Sequence, residues 1–407
     1  MRGRCPQPIA GPKKAGRSFP WIPNGPATES GGTSVIVCRF CLRGLSMNRM
    51  GFSVSGVCGL LLAASQACSA GDLNDSADAI LAKHFDGEGP GAAVALIVDG
   101  EVRAETAIGY ADVDQEIAID SRTLFDLASV SKHFTAFAAL TLERQGKLDA
   151  EQPVSRYLPD FEDEPSSRDV TVSDLIHHVS GLADYSSDAW EGSDSAFARL
   201  TNESHLSWLN EQATEEEPGT VYRYNNSGYA LLALLVQRVS GQRFADFVRE
   251  QLFKPAGMRS ARVMDDYKLR FPRQARGYAS DEDGEFTSSS SPSSVTGDGN
   301  IYASLSDMIA WMRALDSDVV LNKREKDLAW RNGKLDSGEP IEDEDGSGYG
   351  YGWVIEDDGV VSHSGSWMGT ATYVLRDRRK QISVVVLSND ENAEVSDIAE
   401  ALADLVD

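Results

Sequence analysis

The chain has 407 residues, enough for two or three domains of ordinary size, with 63 acidic against 38 basic side chains and a net charge of −25. Such an excess of negative charge would repel nucleic acid and anionic membrane surfaces, which excludes both as partners. All five cysteines lie before residue 70. The remaining chain is therefore expected to fold without disulfides and without a cysteine-based redox or zinc site.

The first seventy residues are typical of a leader. Residues 47–70 combine a short basic start, an apolar core of about a dozen residues and small residues at the end, where a signal peptidase would cut. This pattern indicates a signal peptide cleaved near Ala70. A membrane anchor is the alternative, but this apolar run is shorter than the roughly 20 residues that span a bilayer. Lipidation at Cys68 is a second alternative. Residues 1–46 are interpreted as an upstream extension, so 71–407 is the predicted exported domain, periplasmic or extracellular and without stable membrane insertion.

The predicted domain begins with a short helix and several strands. Apolar residues at helical spacing predict a helix over 75–85. The runs 92–98 and 101–110, joined by Asp99-Gly100, predict a β-hairpin. Residues 117–119 are expected to add a further short strand.

Helices dominate the predictions for the middle of the chain. Their expected ranges are 129–146, 171–178, 227–239, 244–253 and 305–315. Residues 186–216 are acidic with scattered Trp and Leu, which predicts a helical flap. Residues 280–297 have the composition of an exposed loop.

Strands return at the end of the chain. Their expected ranges are 351–355, 369–375 and 382–387, followed by a last helix from Asn392. The predicted fold class is therefore α+β, with one antiparallel sheet built from both ends of the mature chain, flanking helices and a central helical domain. We place the sheet subdomain at about 71–125 and 300–407, and the helical subdomain at about 126–299.

Ser129 and Lys132 lie three residues apart where the predicted apolar helix begins, so their side chains share a face. A partly buried lysine has a lowered pKa and can accept a proton, while a serine hydroxyl needs such a neighbour to act as a nucleophile. The alternative is a helix-capping serine followed by a lysine whose ammonium reaches solvent. Other motifs must decide between the two.

A second motif, Tyr224-Asn-Asn226, immediately precedes another predicted helix. A phenol near Lys132 can transfer the proton of the nucleophile, and the Asn226 amide can hold either a substrate carbonyl or the lysine itself. The alternative is a turn tyrosine with a helix-capping asparagine.

A third motif, His363-Ser-Gly365-Ser366, lies between candidate strands. Gly365 allows close backbone approach, and the backbone N–H groups of Ser366 and Ser129 could together form an oxyanion hole. The alternative is an ordinary turn at a strand edge with a polar histidine.

These three motifs, in this order and at these separations, resemble the signatures of the serine β-lactamase and penicillin-binding-protein family, in the branch with class C β-lactamases, D-amino-acid peptidases and esterases. Supporting stretches are 175–182, 253–258, 297–299 and 349–353, and the resemblance spans roughly residues 75–405. It implies an acyl-enzyme route in which Ser129 attacks a carbonyl, Lys132 and Tyr224 move protons, and Asn226, His363 and Gly365 position the substrate. Whether Lys132 or Tyr224 is the base is left open.

One position departs from the β-lactamases of that branch, which carry a lysine where this chain has His363. A permanent cation suits a substrate carboxylate, whereas histidine is only partly charged near neutrality. This difference weakens the case for a β-lactam. A histidine here resembles the D-alanyl-D-alanine peptidases and D-amino-acid amidases of the branch, and the resemblance implies a D-amino-acid-containing peptide or amide, or a small ester, as substrate. A class C-like β-lactamase and a non-catalytic binder of penicillin or muropeptides are the alternatives.

Other hydrolase classes lack support. Adjacent helical residues point about 100° apart, so His177 and His178 are unsuited to share one metal, and neither a metal nor another cofactor is predicted. A Gly-x-Ser-x-Gly elbow is missing from residues 71–407, which argues against an α/β-hydrolase. Oligomeric state is not predicted.

Overall fold

The computed structural model describes residues 70–162, 168–186, 199–280, 285–290, 293–356 and 359–406. The predicted extension and signal peptide, with all five cysteines, lie outside these residues, as does the 187–198 part of the predicted flap. Within the described ranges, no helix is long and apolar enough to cross a membrane.

The helices are α1 (Ala70–His84), α2 (Lys132–Arg144), α3 (Val172–Ile176), α4 (Asn202–Leu209), α5 (Asn226–Ser240), α6 (Phe244–Val248), α7 (Lys254–Ala256), α8 (Leu305–Asp316), α9 (Lys323–Ala329) and α10 (Val395–Ala403). Shorter 3₁₀ turns cover Ala128–Ser131, Val154–Arg156 and Asp404–Val406.

The strands are β1 (Ala92–Val98), β2 (Glu101–Ile108), β3 (Tyr110–Asp112), β4 (Ile117–Ala118), β5 (Leu124–Asp126), β6 (Arg262–Val263), β7 (Tyr278–Ser280), β8 (Phe286–Ser288), β9 (Ile301–Ser304), β10 (Gly348–Tyr349), β11 (Val354–Ile355), β12 (Val360–Trp367), β13 (Thr370–Asp377) and β14 (Ile382–Ser388).

The two ends of the described chain meet in one sheet. Its seven strands run in the order β10-β11-β12-β13-β14-β1-β2, all antiparallel. Strand β1 pairs with β14 on one side and with β2 on the other, so the early hairpin completes the sheet that the last strands begin. The predicted fold class is confirmed.

Strands β1 and β14 are apolar along nearly their whole length because helices cover both faces of the sheet. Alternate side chains, such as Leu96 and Val386, pack with Leu81 of α1 and Ile398 of α10 in one cluster. The intervening side chains join the larger core with α2 and α8. The period of two in each strand therefore divides its side chains between the two layers.

In the central helices, α2 and α5 are buried on all sides over most of their length. The predicted helix over 171–178 is shorter in the structure. A Thr171–Asp174 capping box starts α3 close to the predicted position, but the helix already ends at Ile176. The predicted helix over 244–253 is divided, since a π-helical turn at Arg249–Phe253 follows α6.

Some predictions of local structure were wrong. The His363 motif, placed between candidate strands, is instead part of strand β12. The polar centre of this strand, residues 362–366, hides it from a search for apolar alternation. The expected exposed loop, 280–297, contains strand β8, which pairs with β7, and its residues 293–297 are buried. A small sheet of β5, β9 and β6, together with helix α9, was not predicted, because strands of two to four residues and a helix of seven carry too little periodicity.

Candidate active site

Ser129 lies in the 3₁₀ turn Ala128–Ser131 that connects β5 to α2, and its side chain is partly exposed. The preceding Ala128 has φ 45°, a left-handed conformation that costs an alanine about 1–3 kcal/mol. The Ala128 N–H donates to Asp126 Oδ1 at 2.9 Å, which helps to hold this turn. A constrained turn therefore presents the hydroxyl at the start of a rigid helix, close to its predicted place.

Lys132 is fully buried at the first position of α2. Its ammonium donates three hydrogen bonds: to Ser129 Oγ (3.0 Å), to Asn226 Oδ1 (2.7 Å) and to the Asp298 backbone oxygen (2.9 Å). A buried ammonium is stable only when its donors are satisfied. These three acceptors fix Nζ beside the hydroxyl, so the capping-serine alternative does not describe this lysine.

Burial lowers the pKa of Lys132 to about 8, although the nearby carboxylates of Asp298 and Asp184 oppose that shift. A lysine with this pKa is partly neutral in mildly alkaline solution. Lys132 therefore has both the position and the proton affinity that a general base for Ser129 requires.

Tyr224 packs beside the lysine, with its ring centroid 4.7 Å from Lys132 Nζ. Burial raises the pKa of the phenol well above its usual value, and the nearby Ser129 hydroxyl opposes this more weakly. By distance and angle, however, the Tyr224 hydroxyl has no hydrogen-bond partner among the described residues. Tyr224 is therefore a neutral phenol, suited to relay a proton rather than to remove one as a phenolate.

Asn226 is held on both sides of its amide. Its Oδ1 accepts from Lys132, while its Nδ2 donates to Asp184 Oδ2 (3.2 Å) and to Ser186 Oγ (2.8 Å). Its backbone N–H also donates to Asp184 Oδ2, at 2.8 Å. Of the two roles that the sequence allowed for Asn226, the structure has the one in which it holds the lysine.

Asp298 supplies the third acceptor of Lys132 through its backbone oxygen. The preceding Gly297 allows the loop to approach closely enough for this contact. Gly297 has φ 113°, and a Cβ there would lie 2.4 Å from the Tyr229 oxygen on α5. Its own carbonyl accepts from Thr135 Oγ1 on α2 at 2.7 Å. Because only glycine fits this approach, the loop lies against both helices and presents the Asp298 oxygen to Lys132.

Gly365 brings strand β12 against the Ser129 turn. A Cβ at Gly365 would lie 2.4 Å from the Leu127 oxygen and 3.2 Å from the Ala128 Cβ. The absence of a side chain thus allows direct backbone contact one residue before Ser366. This contact explains how the Ser366 N–H could approach the Ser129 N–H, as the predicted oxyanion hole requires.

His363 is buried, and both of its ring nitrogens have partners. Nδ1 lies 2.6 Å from the Ser364 backbone oxygen, to which it must donate, so Nε2 accepts from the Tyr349 hydroxyl at 2.9 Å. Burial, together with the charge of Lys132, lowers the pKa of His363 to about 3. The expectation of a partly charged histidine was therefore wrong: His363 is neutral, and its ring lies 6.2 Å from that of Tyr224.

The structure thus brings Ser129, Lys132, Tyr224 and Asn226 together, with His363 beside Tyr224 and Gly365 against the serine turn. Sequence reasoning missed Asp184, Tyr185 and the acceptor role of Asp298, although the Gly297-Asp-Gly299 pattern marked the last. Among the described residues, no group of three or more His, Cys, Asp and Glu side chains could hold a metal ion.

Known proteins resemble this chain in sequence over most of its length. The sequence model of the family described as Beta-lactamase matches residues 77–407. Penicillin-binding protein 4* of Bacillus subtilis (strain 168) is 32% identical over 311 residues, which cover 72% of this chain and 66% of that protein. A D-aminopeptidase of Brucella anthropi is 29% identical over 75% of this chain and 57% of its own length. The chain thus spans less than two thirds of either relative.

Solved structures show the same fold. The octameric penicillin-binding protein homologue from Pyrococcus abyssi superposes with a TM-score of 0.69 at 25% identity, over 83% of this chain and 77% of the other. The D-amino acid amidase from Ochrobactrum anthropi SV3 gives 0.69 at 22% identity, over 82% and 99%. At 22% identity, the second likeness supports the fold alone.

Proposed function

Because the chain belongs to the beta-lactamase family, we propose that it is an exported serine hydrolase that forms an acyl-enzyme on Ser129. The observation that carries this proposal is the buried Lys132 ammonium, 3.0 Å from Ser129 Oγ. A non-catalytic binder has no need to bury a lysine against a partly exposed serine, and such burial is costly.

In the proposed reaction, neutral Lys132 accepts the Ser129 proton while Oγ forms a bond to the substrate carbonyl carbon. The negative charge that develops on the carbonyl oxygen is stabilised by the backbone N–H groups of Ser129 and Ser366. The Lys132 proton then returns, through the neutral Tyr224 hydroxyl, to the leaving amine or alkoxide as its bond to carbon breaks. Water repeats the same transfers and releases the acid.

The proposed substrate is a D-amino-acid-containing peptide or amide, or a small ester. The D-aminopeptidase among the relatives supports the first, and the neutral His363 supports both, because it offers no cation to a substrate carboxylate. The carboxylates of Asp184 and Asp298 lie close to Lys132, and their negative charge further disfavours a substrate carboxylate beside the lysine. A class C-like β-lactamase is therefore the weaker candidate.

A parallel substrate panel tests this ranking. Initial rates would be measured with a D-amino-acid amide, a D-alanyl-D-alanine peptide, p-nitrophenyl acetate and nitrocefin, with the L-amino-acid amide as the stereochemical control. We expect turnover of the D-amide or the ester, and little of nitrocefin. Fast nitrocefin turnover would contradict the substrate assignment. A stable acyl complex without turnover on any substrate would favour the non-catalytic binder.

The pH dependence of acylation is a separate prediction. Because only neutral Lys132 can accept the serine proton and its pKa is about 8, kcat/KM for p-nitrophenyl acetate should rise through pH 8 and level off above it. This rise of kcat/KM with pH is the acid limb of the profile. Neither His363 nor Tyr224 can produce it, because the pKa of His363 lies far below pH 8 and that of Tyr224 lies far above it. A rate that is constant between pH 6 and 9 would rule out Lys132 as the base.

Tyr224→Phe provides the matching control for this pH profile. If Tyr224 only relays protons, the variant keeps the limb near pH 8 at a lower plateau. Loss of the limb in Tyr224→Phe would instead assign the base to the tyrosine.

Export remains part of the proposal. It is supported by the pattern of residues 47–70, and cleavage near Ala70 would leave almost all of α1 in the mature chain. N-terminal sequencing of protein secreted by the host should give a start close to residue 71. A mature chain that begins before residue 47 would contradict it.

A further inference from the structure

Two adjacent side chains outside the sequence motifs each hold one acceptor of the Lys132 ammonium. Asp184 accepts two hydrogen bonds from Asn226, whose Oδ1 in turn accepts from Lys132 at 2.7 Å. Tyr185 donates from its hydroxyl to Asp298 Oδ2 at 2.7 Å, and the backbone oxygen of the same Asp298 accepts from Lys132 at 2.9 Å. We infer that Asp184 and Tyr185 form a clamp that positions Lys132 against Ser129. This inference rests on the proposed function and deepens it.

The clamp is itself anchored on the start of α5. The Tyr185 backbone N–H donates to Ser227 Oγ at 3.0 Å, and Ser227 Oγ also lies 3.0 Å from Nε2 of the buried His205. Three residues before Tyr185, the Leu182 carbonyl accepts from Asn225 Nδ2 at 2.6 Å. The segment that carries the clamp is thus hydrogen-bonded to the start of the helix that carries Asn226.

Asp184 also fixes which way the Asn226 amide points. A carboxylate has no proton to donate, so only the Nδ2 end of the amide can face Asp184, and the Oδ1 end must face Lys132. The reverse orientation would place an amide N–H₂ against the ammonium. Asp184 therefore ensures that the oxygen of the Asn226 amide, and not its nitrogen, faces Lys132.

The two clamp residues differ in charge, which separates their effects. The Asp184 carboxylate favours the charged form of Lys132 and so raises its pKa, whereas Tyr185 is a neutral donor whose own pKa is raised well above the usual value by burial. The other titratable groups that face the ammonium are the Asp298 carboxylate, the neutral imidazoles of His178 and His363, and the phenols of Tyr224 and Tyr229. Removing Asp184's charge should therefore lower the pKa of Lys132.

The test is the pH profile of kcat/KM for p-nitrophenyl acetate, measured for wild type, Asp184→Asn and Tyr185→Phe. In Asp184→Asn we expect the acid limb to move to lower pH and the plateau to fall about tenfold or more, because Nζ is less well placed. In Tyr185→Phe we expect a lower plateau with the limb at the wild-type pH, because both carboxylates remain. If Asp184 had a merely structural role, Asp184→Asn would lower the plateau without moving the limb.

Asp266→Asn is the matched control, since it removes one carboxylate from an exposed position whose Oδ1 accepts from the nearby Lys268 backbone N–H. It should leave both limb and plateau unchanged. Melting temperatures of all variants show whether each is folded. If wild type is acylated at Ser129 and folded Asp184→Asn keeps the wild-type limb, the clamp is wrong and the proposed function stands. If wild type is not acylated at Ser129, the proposed function itself fails.

Discussion

Replacing Ser129 by alanine should abolish turnover of every accepted ester or amide, with a loss in kcat of at least about 10,000-fold. The nucleophile is gone, and water would have to attack the carbonyl without an acyl intermediate. Labelling by a serine-directed fluorophosphonate or by fluorescent penicillin should disappear as well. Ser129 is partly exposed, so loss of its hydroxyl and of the hydrogen bond that Oγ accepts from Lys132 should change the melting temperature little.

A matched control for that experiment is Ser366→Ala. This substitution also removes one serine hydroxyl from the site, but it preserves the backbone N–H to which we assign the oxyanion role. It should retain most of the activity and all of the labelling. Equal labelling of Ser129→Ala and wild type would remove the nucleophile assignment.

Replacing Lys132 by methionine should lower the acylation rate about 1,000-fold or more, within the range that general-base catalysis supplies. Methionine keeps an unbranched side chain at this fully buried position but cannot accept a proton. It also leaves Asn226 Oδ1 and the Asp298 oxygen without their donor, which costs stability, although the desolvation cost of the buried ammonium disappears too. Stopped-flow acylation rates, with melting temperatures measured in parallel, check this prediction.

Lys132→Arg separates charge from basicity. An arginine keeps the positive charge but remains protonated at any accessible pH, so it cannot take the serine proton. We expect this variant to be as inactive as Lys132→Met. Substantial acylation in folded Lys132→Arg would show that Lys132 acts as a cation only, and would transfer the role of the base to Tyr224.

Sequence patterns predicted the large elements well because those elements are long and strongly periodic. The hairpin of β1 and β2, the apolar helices α2 and α5 and the amphipathic α10 all lie close to their expected ranges. Strand β12 was missed for a physical reason. Its central residues, 362–366, are serines, a histidine and a glycine, so the alternation that marks a half-buried strand is absent.

The motifs likewise located the side chains that surround Ser129, but not what holds them. Asp298 contacts Lys132 through its backbone oxygen, and a backbone contact has no residue-type signature. Asp184 and Tyr185 act through other residues, so their roles are visible only in three dimensions. The neutral state of His363 follows from complete burial beside a lysine, which one sequence cannot reveal.

The most direct measurement is peptide-mapped mass spectrometry of the protein quenched during turnover of an accepted ester or amide. The acyl group should be found on the peptide that contains Ser129, with the mass of the substrate minus its leaving group. In Lys132→Met this adduct should accumulate far more slowly. An acyl group on a different residue, or turnover without any covalent adduct in wild type and in a variant slowed at deacylation, would contradict the mechanism.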